Sequence, residues 1–122
     1  MSCESTEEIR MSTDRISLAR ACYRAYETHD RELIESLIGP DFTFHSPADE
    51  AGLDRAGYFE RCWPNAENLA SFEFVRLIED GDEVVVTYEA TRTDGSRFRN
   101  TEVLTFAGEQ QVRAEVYFGW NL

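Results

Sequence analysis

Three turn signals divide the second half of the chain into four alternating runs. Asp80-Gly81-Asp82, Thr93-Asp94-Gly95-Ser96 and Ala107-Gly108-Glu109 each supply the Gly of a tight turn, the first two with Asp before it. The runs between them predict strands over residues 71–79, 83–93, 97–106 and 111–120. Turns this short join neighbours that run antiparallel, so the expected unit is a four-stranded meander. Everything before residue 70 reads differently. Ile16, Ala19, Tyr23 and Tyr26 recur at helical spacing and predict a helix over residues 14–29. Ser12-Thr13-Asp14 offers its N-cap. His29-Asp30 breaks that pattern, and Leu33, Ile34, Leu37 and Ile38 predict a second helix stopped by Gly39-Pro40. Phe42 to Ser46 reads as a short strand, and residues 47–52 as a loop. Asp54 opens a third helix with Tyr58, Phe59, Cys62 and Trp63 on its apolar stripe, and Pro64 ends it. Helices first and strands last make an α+β chain.

The strand over residues 97–106 breaks the usual division of faces. Arg97, Arg99, Thr101, Val103 and Thr105 suit an outer face. The opposite face holds Phe98, Asn100, Glu102, Leu104 and Phe106. It begins and ends apolar, with an amide and a carboxylate in the middle. A buried carboxylate is costly unless it is bonded, paired or protonated. Glu102 therefore either lines a cavity or meets an internal water or an arginine. Arg92 shares the apolar register of Val84, Val86, Tyr88 and Ala90, which makes it the rival partner. The hydroxyls of Tyr23 and Tyr26 need partners too, either backbone groups or groups in the cavity. On the last strand, Val112, Ala114, Val116, Phe118 and Trp120 form the expected apolar face.

Composition narrows the partners. With 24 acidic and 12 basic residues the net charge is −12, which argues against nucleic acid and anionic membrane. Length predicts one domain over residues 12–122, with residues 1–11 as a flexible acidic tail. Cys3, Cys22 and Cys62 form no CxxC spacing, so a reduced, cytoplasmic setting is expected. There is no long apolar run and no signal peptide pattern. Two histidines without clustered cysteines predict no zinc site. The absence of a glycine-rich phosphate loop predicts no nucleotide, so no cofactor is expected. His45 and Asp49 lie close in sequence. They read either as an acid/base pair or as ordinary rim and outer-face residues.

Taken in order, these residues resemble a known group. A first helix ends in Thr28-His29-Asp30. Pro40-Asp41-Phe42-Thr43-Phe44-His45-Ser46-Pro47 follows a short helix, Tyr58-Phe59 lies on the next, and the sheet ends in Tyr117-Phe118-Gly119. The chain resembles the SnoaL-like and ketosteroid-isomerase-like proteins of the nuclear transport factor 2 superfamily over about residues 14–120. The resemblance implies a cone, with a curved antiparallel sheet wrapped around the long first helix and a pocket between them. It also implies a homodimer paired through the outer sheet face, where Thr87, Arg99, Thr101, Val103, Arg113 and Tyr117 are expected. The isomerase's oxyanion-stabilising acid matches Glu102, four residues before Phe106. Its general base matches Ser46, and its catalytic tyrosine matches Cys22, with Tyr23 adjacent.

The expected function is a pocket for a hydrophobic small molecule. In one reading it is an isomerase, cyclase or hydrolase with Glu102 as the buried acid and His45 or Asp49 acting at the mouth. Tyr23, Tyr26, Trp63, Tyr88, Asn100, Phe118 and Trp120 would contact the ligand. In a second reading the same pocket binds without catalysis. In a third, the outer sheet serves a dimerisation module.

Overall fold

A computed structural model describes residues 14–122. The expected tail, residues 1–11, and the cap residues Ser12 and Thr13 lie outside the described residues. Three helices precede most of the sheet, each started by an aspartate. Asp14 accepts from the Ile16 amide and opens α1 (Arg15–Thr28). Asp30 accepts from Leu33 and opens α2 (Arg31–Leu37). Asp54 accepts from Gly57 and opens α3 (Arg55–Arg61). A side-chain acceptor at these positions satisfies amides that have no partner inside the helix. His29 ends α1 in the left-handed region at φ 56°.

The predicted meander forms as β3 (Leu69–Asp80), β4 (Glu83–Arg92), β5 (Arg97–Ala107) and β6 (Gln110–Asn121). It is part of a six-stranded mixed sheet. Two strands precede it, β1 (Ile38–Ser46) and β2 (Asp49–Asp54), and the order is β2-β1-β6-β5-β4-β3. β1 runs parallel to β6, with Phe44 opposite Ala114. Three expectations change here. Residues 47–52 are not simply a loop: β2 begins at Asp49 and closes a hairpin on β1. Ile38, Gly39 and Pro40 belong to β1 rather than to a helix end, and Pro40 sits where the β1–β6 register is irregular, a place that tolerates a missing N–H. The connector before β3 is a 3₁₀ segment, Trp63–Asn68.

Irregularities bend the sheet. Register shifts occur at Phe74/Arg76, at Arg99/Asn100 and at Thr105/Phe106. An extra residue on one strand turns that strand and raises its twist. The curved, unclosed sheet gives the cone expected from the resemblance. The shift at Thr105/Phe106 also moves Val112 off the inner face and puts Gln111, which is buried, opposite Phe106. The shift at Arg99/Asn100 seats Trp120 opposite outward-facing Arg99. The apolar face expected for β6 is therefore interrupted at both ends.

Helix α1 lies across the concave face. Tyr23 packs edge-on against Phe72 and Phe74 and tilts against Tyr88, with centroids 5.1–5.4 Å apart. The most deeply buried side chains include Phe42, Phe106, Ile34, Ile38, Leu104, Val84 and Val86, which join α2, β1, β4 and β5. On the outer face, Arg76 donates to the Thr87 hydroxyl at 2.9 Å, and Thr87 and Thr101 share a hydrogen bond at 2.8 Å. Among the described residues no helix is long and apolar enough to cross a membrane.

Candidate functional site

Between α1 and the concave sheet lies a cavity of about 660 Å³. Glu102 stands in its wall. Strand parity puts it on the inner face of β5, opposite Val86 of β4 and Val116 of β6. Tyr23, on the buried stripe of α1, donates to one carboxylate oxygen at 2.8 Å. Tyr88, one inner-face position along β4, donates to the other at 2.7 Å. The Asn100 amide approaches the Tyr88 oxygen at 3.5 Å, and its own oxygen accepts from the Gly119 amide at 3.0 Å. Glu102 keeps part of its surface free, and it is among the residues lining the cavity.

Burial pushes the Glu102 pKa up, and the bonds from Tyr88 and Tyr23 oppose that shift without cancelling it. Both phenols are pushed well above their ordinary value, first by burial and then by the neighbouring carboxylate charge. They remain donors. Among the described residues no arginine or lysine lies within 4 Å of Glu102. The rival partner Arg92 instead sits over the Phe98 ring, 4.3 Å from its centroid, and donates to the Ser96 hydroxyl at 3.2 Å. A carboxyl held by two phenols, without a cation, can take up or release one proton with little rearrangement around it.

A second polar group faces the same space. The hydroxyls of Tyr26 and Tyr58 are hydrogen-bonded to each other, and both residues line the cavity. Two phenols carry two protons, and one bond between them uses one. The other proton is available to an oxygen in the cavity. The Cys22 thiol accepts from the Gln111 amide at 3.4 Å, and burial pushes its pKa up to about 12. Burial, followed by the Asp49 charge, lifts Cys62 to about 11. At neutral pH both stay thiols, which are poor nucleophiles.

The remaining expected site residues separate. Asp49 lines the cavity, but it pairs with Arg61 at 3.0 Å rather than with His45. His45 points away from the cavity on the outer face of β1. Its Nε2 accepts from Arg113 at 3.0 Å, which places the ring proton on Nδ1. Alternation along β1 requires this, because Phe42 and Phe44 turn inward. His45 is therefore corrected from mouth catalyst to outer-face residue. Trp63 packs edge-on against Tyr26 at 4.9 Å and is not among the residues lining the cavity. Trp120 is 60% exposed, with the Arg99 guanidinium 5.2 Å from its ring, and is likewise outside. Phe118 lines the cavity although 58% exposed, which places it at the rim. The cavity thus brings together Tyr23, Tyr26, Tyr88, Asn100, Glu102, Asp49 and Phe118.

Sequence reasoning missed Tyr58 and Gln111 as cavity residues. Tyr58 carried the same signal as Tyr26, a hydroxyl within an apolar helical stripe. Gln111 carried none, because the β-bulge that turns it inward is not marked by residue type. Among the described residues no group of three or more His, Cys, Asp or Glu is placed to hold a metal ion.

Comparison with known proteins agrees with this geometry. No curated protein matches the chain in sequence. Among solved structures, TerC co-crystallised with polyporic acid is 26% identical, with a TM-score of 0.65 over 85% of this chain and 90% of that one. A candidate ketosteroid isomerase from Kribbella flavida DSM 17836 is 19% identical, with a TM-score of 0.73 over 88% of this chain and 79% of that one. An NTF2-like protein of unknown function from Cytophaga hutchinsonii ATCC 33406 is 20% identical, with a TM-score of 0.64 over 84% and 87%. The family model described as the SnoaL-like domain matches residues 19–114. With the cone and the first helix in the places the resemblance implies, and with a fold shared with NTF2-like proteins, the chain belongs to the SnoaL-like domain family.

Proposed function

We propose that the cavity binds a hydrophobic small molecule and that Glu102 exchanges a proton with it. The observation that carries this reading is a carboxyl in the wall of an aromatic cavity, bonded on both oxygens by phenols and without a cation. Such a group favours its neutral form more than a solvated glutamate does, which suits a proton donor near neutral pH. The reaction class is proton transfer at a hydrophobic substrate that bears a carbonyl or hydroxyl, as in an isomerase, cyclase or hydrolase. The free proton of the Tyr26–Tyr58 pair would meet the substrate oxygen. No cofactor is needed for this chemistry. TerC, crystallised with polyporic acid, supports a small-molecule occupant.

A second reading, binding without turnover, is favoured by Ser46. It occupies the place where the isomerase resemblance puts a general base, and serine cannot fill that role. We also propose that two copies of the chain associate through the outer sheet face.

Glu102→Gln tests the proposal. The amide fills the same space and cannot titrate. Mass spectrometry of ligand extracted from the purified chain supplies the substrate, and polyporic acid serves as a first binding probe. Turnover should fall by about 10²-fold or more, while ligand affinity and melting temperature hold or rise. Unchanged turnover with unchanged affinity would select the binding reading. A stability loss of several kcal/mol would mean that Glu102 is a structural partner instead.

A further inference from the structure

Proton transfer at Glu102 leaves one charged group of the cavity unused. Two arginines line the cavity, Arg61 and Arg92. Arg61 is paired with Asp49 at 3.0 Å. Arg92 has no carboxylate within 4 Å among the described residues, in a chain with 24 acidic and 12 basic residues. An arginine carries five N–H donors in a fixed fork. Among the described residues Arg92 uses one, to the Ser96 hydroxyl. Asp94 is the nearby acid, and it is already engaged. It accepts from the Ser96 hydroxyl at 2.7 Å and from the Ser96 amide at 2.9 Å, and these bonds, ahead of the Arg92 charge, hold its carboxyl low. The Phe98 ring, 4.3 Å away, covers part of the guanidinium. Arg92 is thus held from two sides, half-buried, with donors to spare on the cavity wall. Holding it in advance lowers the entropy cost of binding through it.

We infer that Arg92 is an anion subsite of the cavity, and that the ligand is an amphipathic acid with a hydrophobic ring body. This rests on the proposal that the cavity binds a hydrophobic small molecule. The anionic group, a carboxylate, sulfonate or ionised enol, meets Arg92 beside the β4–β5 turn. Val86, which faces Glu102, and Arg92 share one face of β4 six residues apart, roughly 20 Å of strand. The Glu and Arg side chains shorten that gap from both ends, leaving room for a body of about two or three rings. The acid is therefore bound at one end while the reacting part lies at Glu102. Arg61 with Asp49 and Arg92 with Asp94 leave the local charge balanced. Recognition comes from directed donors on one guanidinium rather than from a positive field.

The test uses two fluorescent probes with one ring skeleton, 1-anilinonaphthalene-8-sulfonate and its uncharged analogue N-phenyl-1-naphthylamine. Both are titrated into the full-length chain, wild type and Arg92→Gln, with circular dichroism as the check on folding. Arg92→Gln should weaken the sulfonate about tenfold or more, the usual worth of a charged hydrogen bond, and change the neutral probe by less than about twofold. Arg92→Lys, which keeps the charge, should recover part of the loss. Equal effects on both probes in a folded variant would overturn the anion subsite and leave the pocket standing. Failure of the neutral probe to saturate one site per wild-type chain would overturn the pocket reading, and this inference with it. Should Arg92→Gln not fold, the wild-type chain decides. It should bind the sulfonate at least as tightly as the neutral probe despite a net charge of −12, and a tenfold preference for the neutral probe would overturn the inference.

Discussion

Glu102 is bonded as an ionised carboxylate would be and buried as a neutral acid would be. Two phenols donate to its oxygens, which stabilises the anion, yet burial outweighs them and the pKa rises. The linkage to stability follows in sign. A raised folded pKa means the folded chain holds the proton to higher pH than the unfolded chain does. Its contribution is fully present below the ordinary value near 4.5 and is lost as pH rises through the folded value. Glu89, half-buried on the outer face and bonded by Arg99 and Arg97, shifts the other way and contributes the opposite slope. Denaturant unfolding of wild type and Glu102→Gln from pH 4 to pH 8 isolates the first effect, because Glu89 is common to both. The variant should gain on the wild type as pH rises, and a constant difference would show that burial does not perturb Glu102. Tyr88→Phe adds a check. It strips a bond that the anion accepts more strongly than the neutral acid does, so its cost, about 1–3 kcal/mol for an unsatisfied buried acceptor, should be larger at pH 8 than at pH 4.

At the scale of elements, the bulges decide which side chains reach the cavity. Gly119 marks one of them. Its backbone passes so close to Arg99 that a Cβ would overlap the Arg99 carbonyl. Gly119→Ala should therefore force the β5–β6 ladder apart and cost about 1–3 kcal/mol, the range for overpacked sites. It should also weaken ligand binding, since the Gly119 amide holds Asn100. Urea melts and a probe titration would read both, and a neutral melt would show the bulge to be free to relax. The same bulges explain what could be read in the sequence. Alternation from Phe98 to Phe106 crosses no register shift at Glu102, so its inward placement was legible, and with it the neighbouring Tyr88. Past the shift at Arg99/Asn100 the period-two rule fails, and Trp120 turns outward where alternation put it in the core. The shift at Thr105/Phe106 does the same to Val112 and brings in Gln111. Residues 49–52 read as loop because they have no apolar alternation, yet they belong to β2. β2 is a strand through its pairing with β1. The parallel pairing of β1 with β6 joins segments about seventy residues apart with no turn between them to announce it.

For the whole molecule, the outer face of the sheet poses the remaining question. It carries charged pairs, Arg97 and Arg99 with Glu89 and Arg113 with Glu115, in the places where a solvated sheet would have them. It also carries large apolar groups that a solvated sheet has no use for. Tyr117 is 55% exposed, Trp120 is 60% exposed and Ile78 is 51% exposed. Interface cores are enriched in Tyr, Trp and Arg, and Tyr117, Trp120 and Arg99 lie close together on β5 and β6. The proposed homodimer would bury this group. Equilibrium sedimentation at micromolar concentration should give twice the chain mass, and the melting temperature should rise with protein concentration, as mass action requires. Trp120→Glu should yield a monomer that keeps its helical and sheet signal, since Trp120 lies outside both the cavity and the buried core. Phe118 sits two residues from Trp120 and forms part of the cavity rim. Loss of the dimer should therefore loosen that rim and weaken the neutral probe, with the contacts of Glu102 and Arg92 unchanged. A wild-type chain that sediments as a monomer across that range would remove the dimer, and an unchanged probe affinity in a monomeric Trp120→Glu would separate assembly from the cavity.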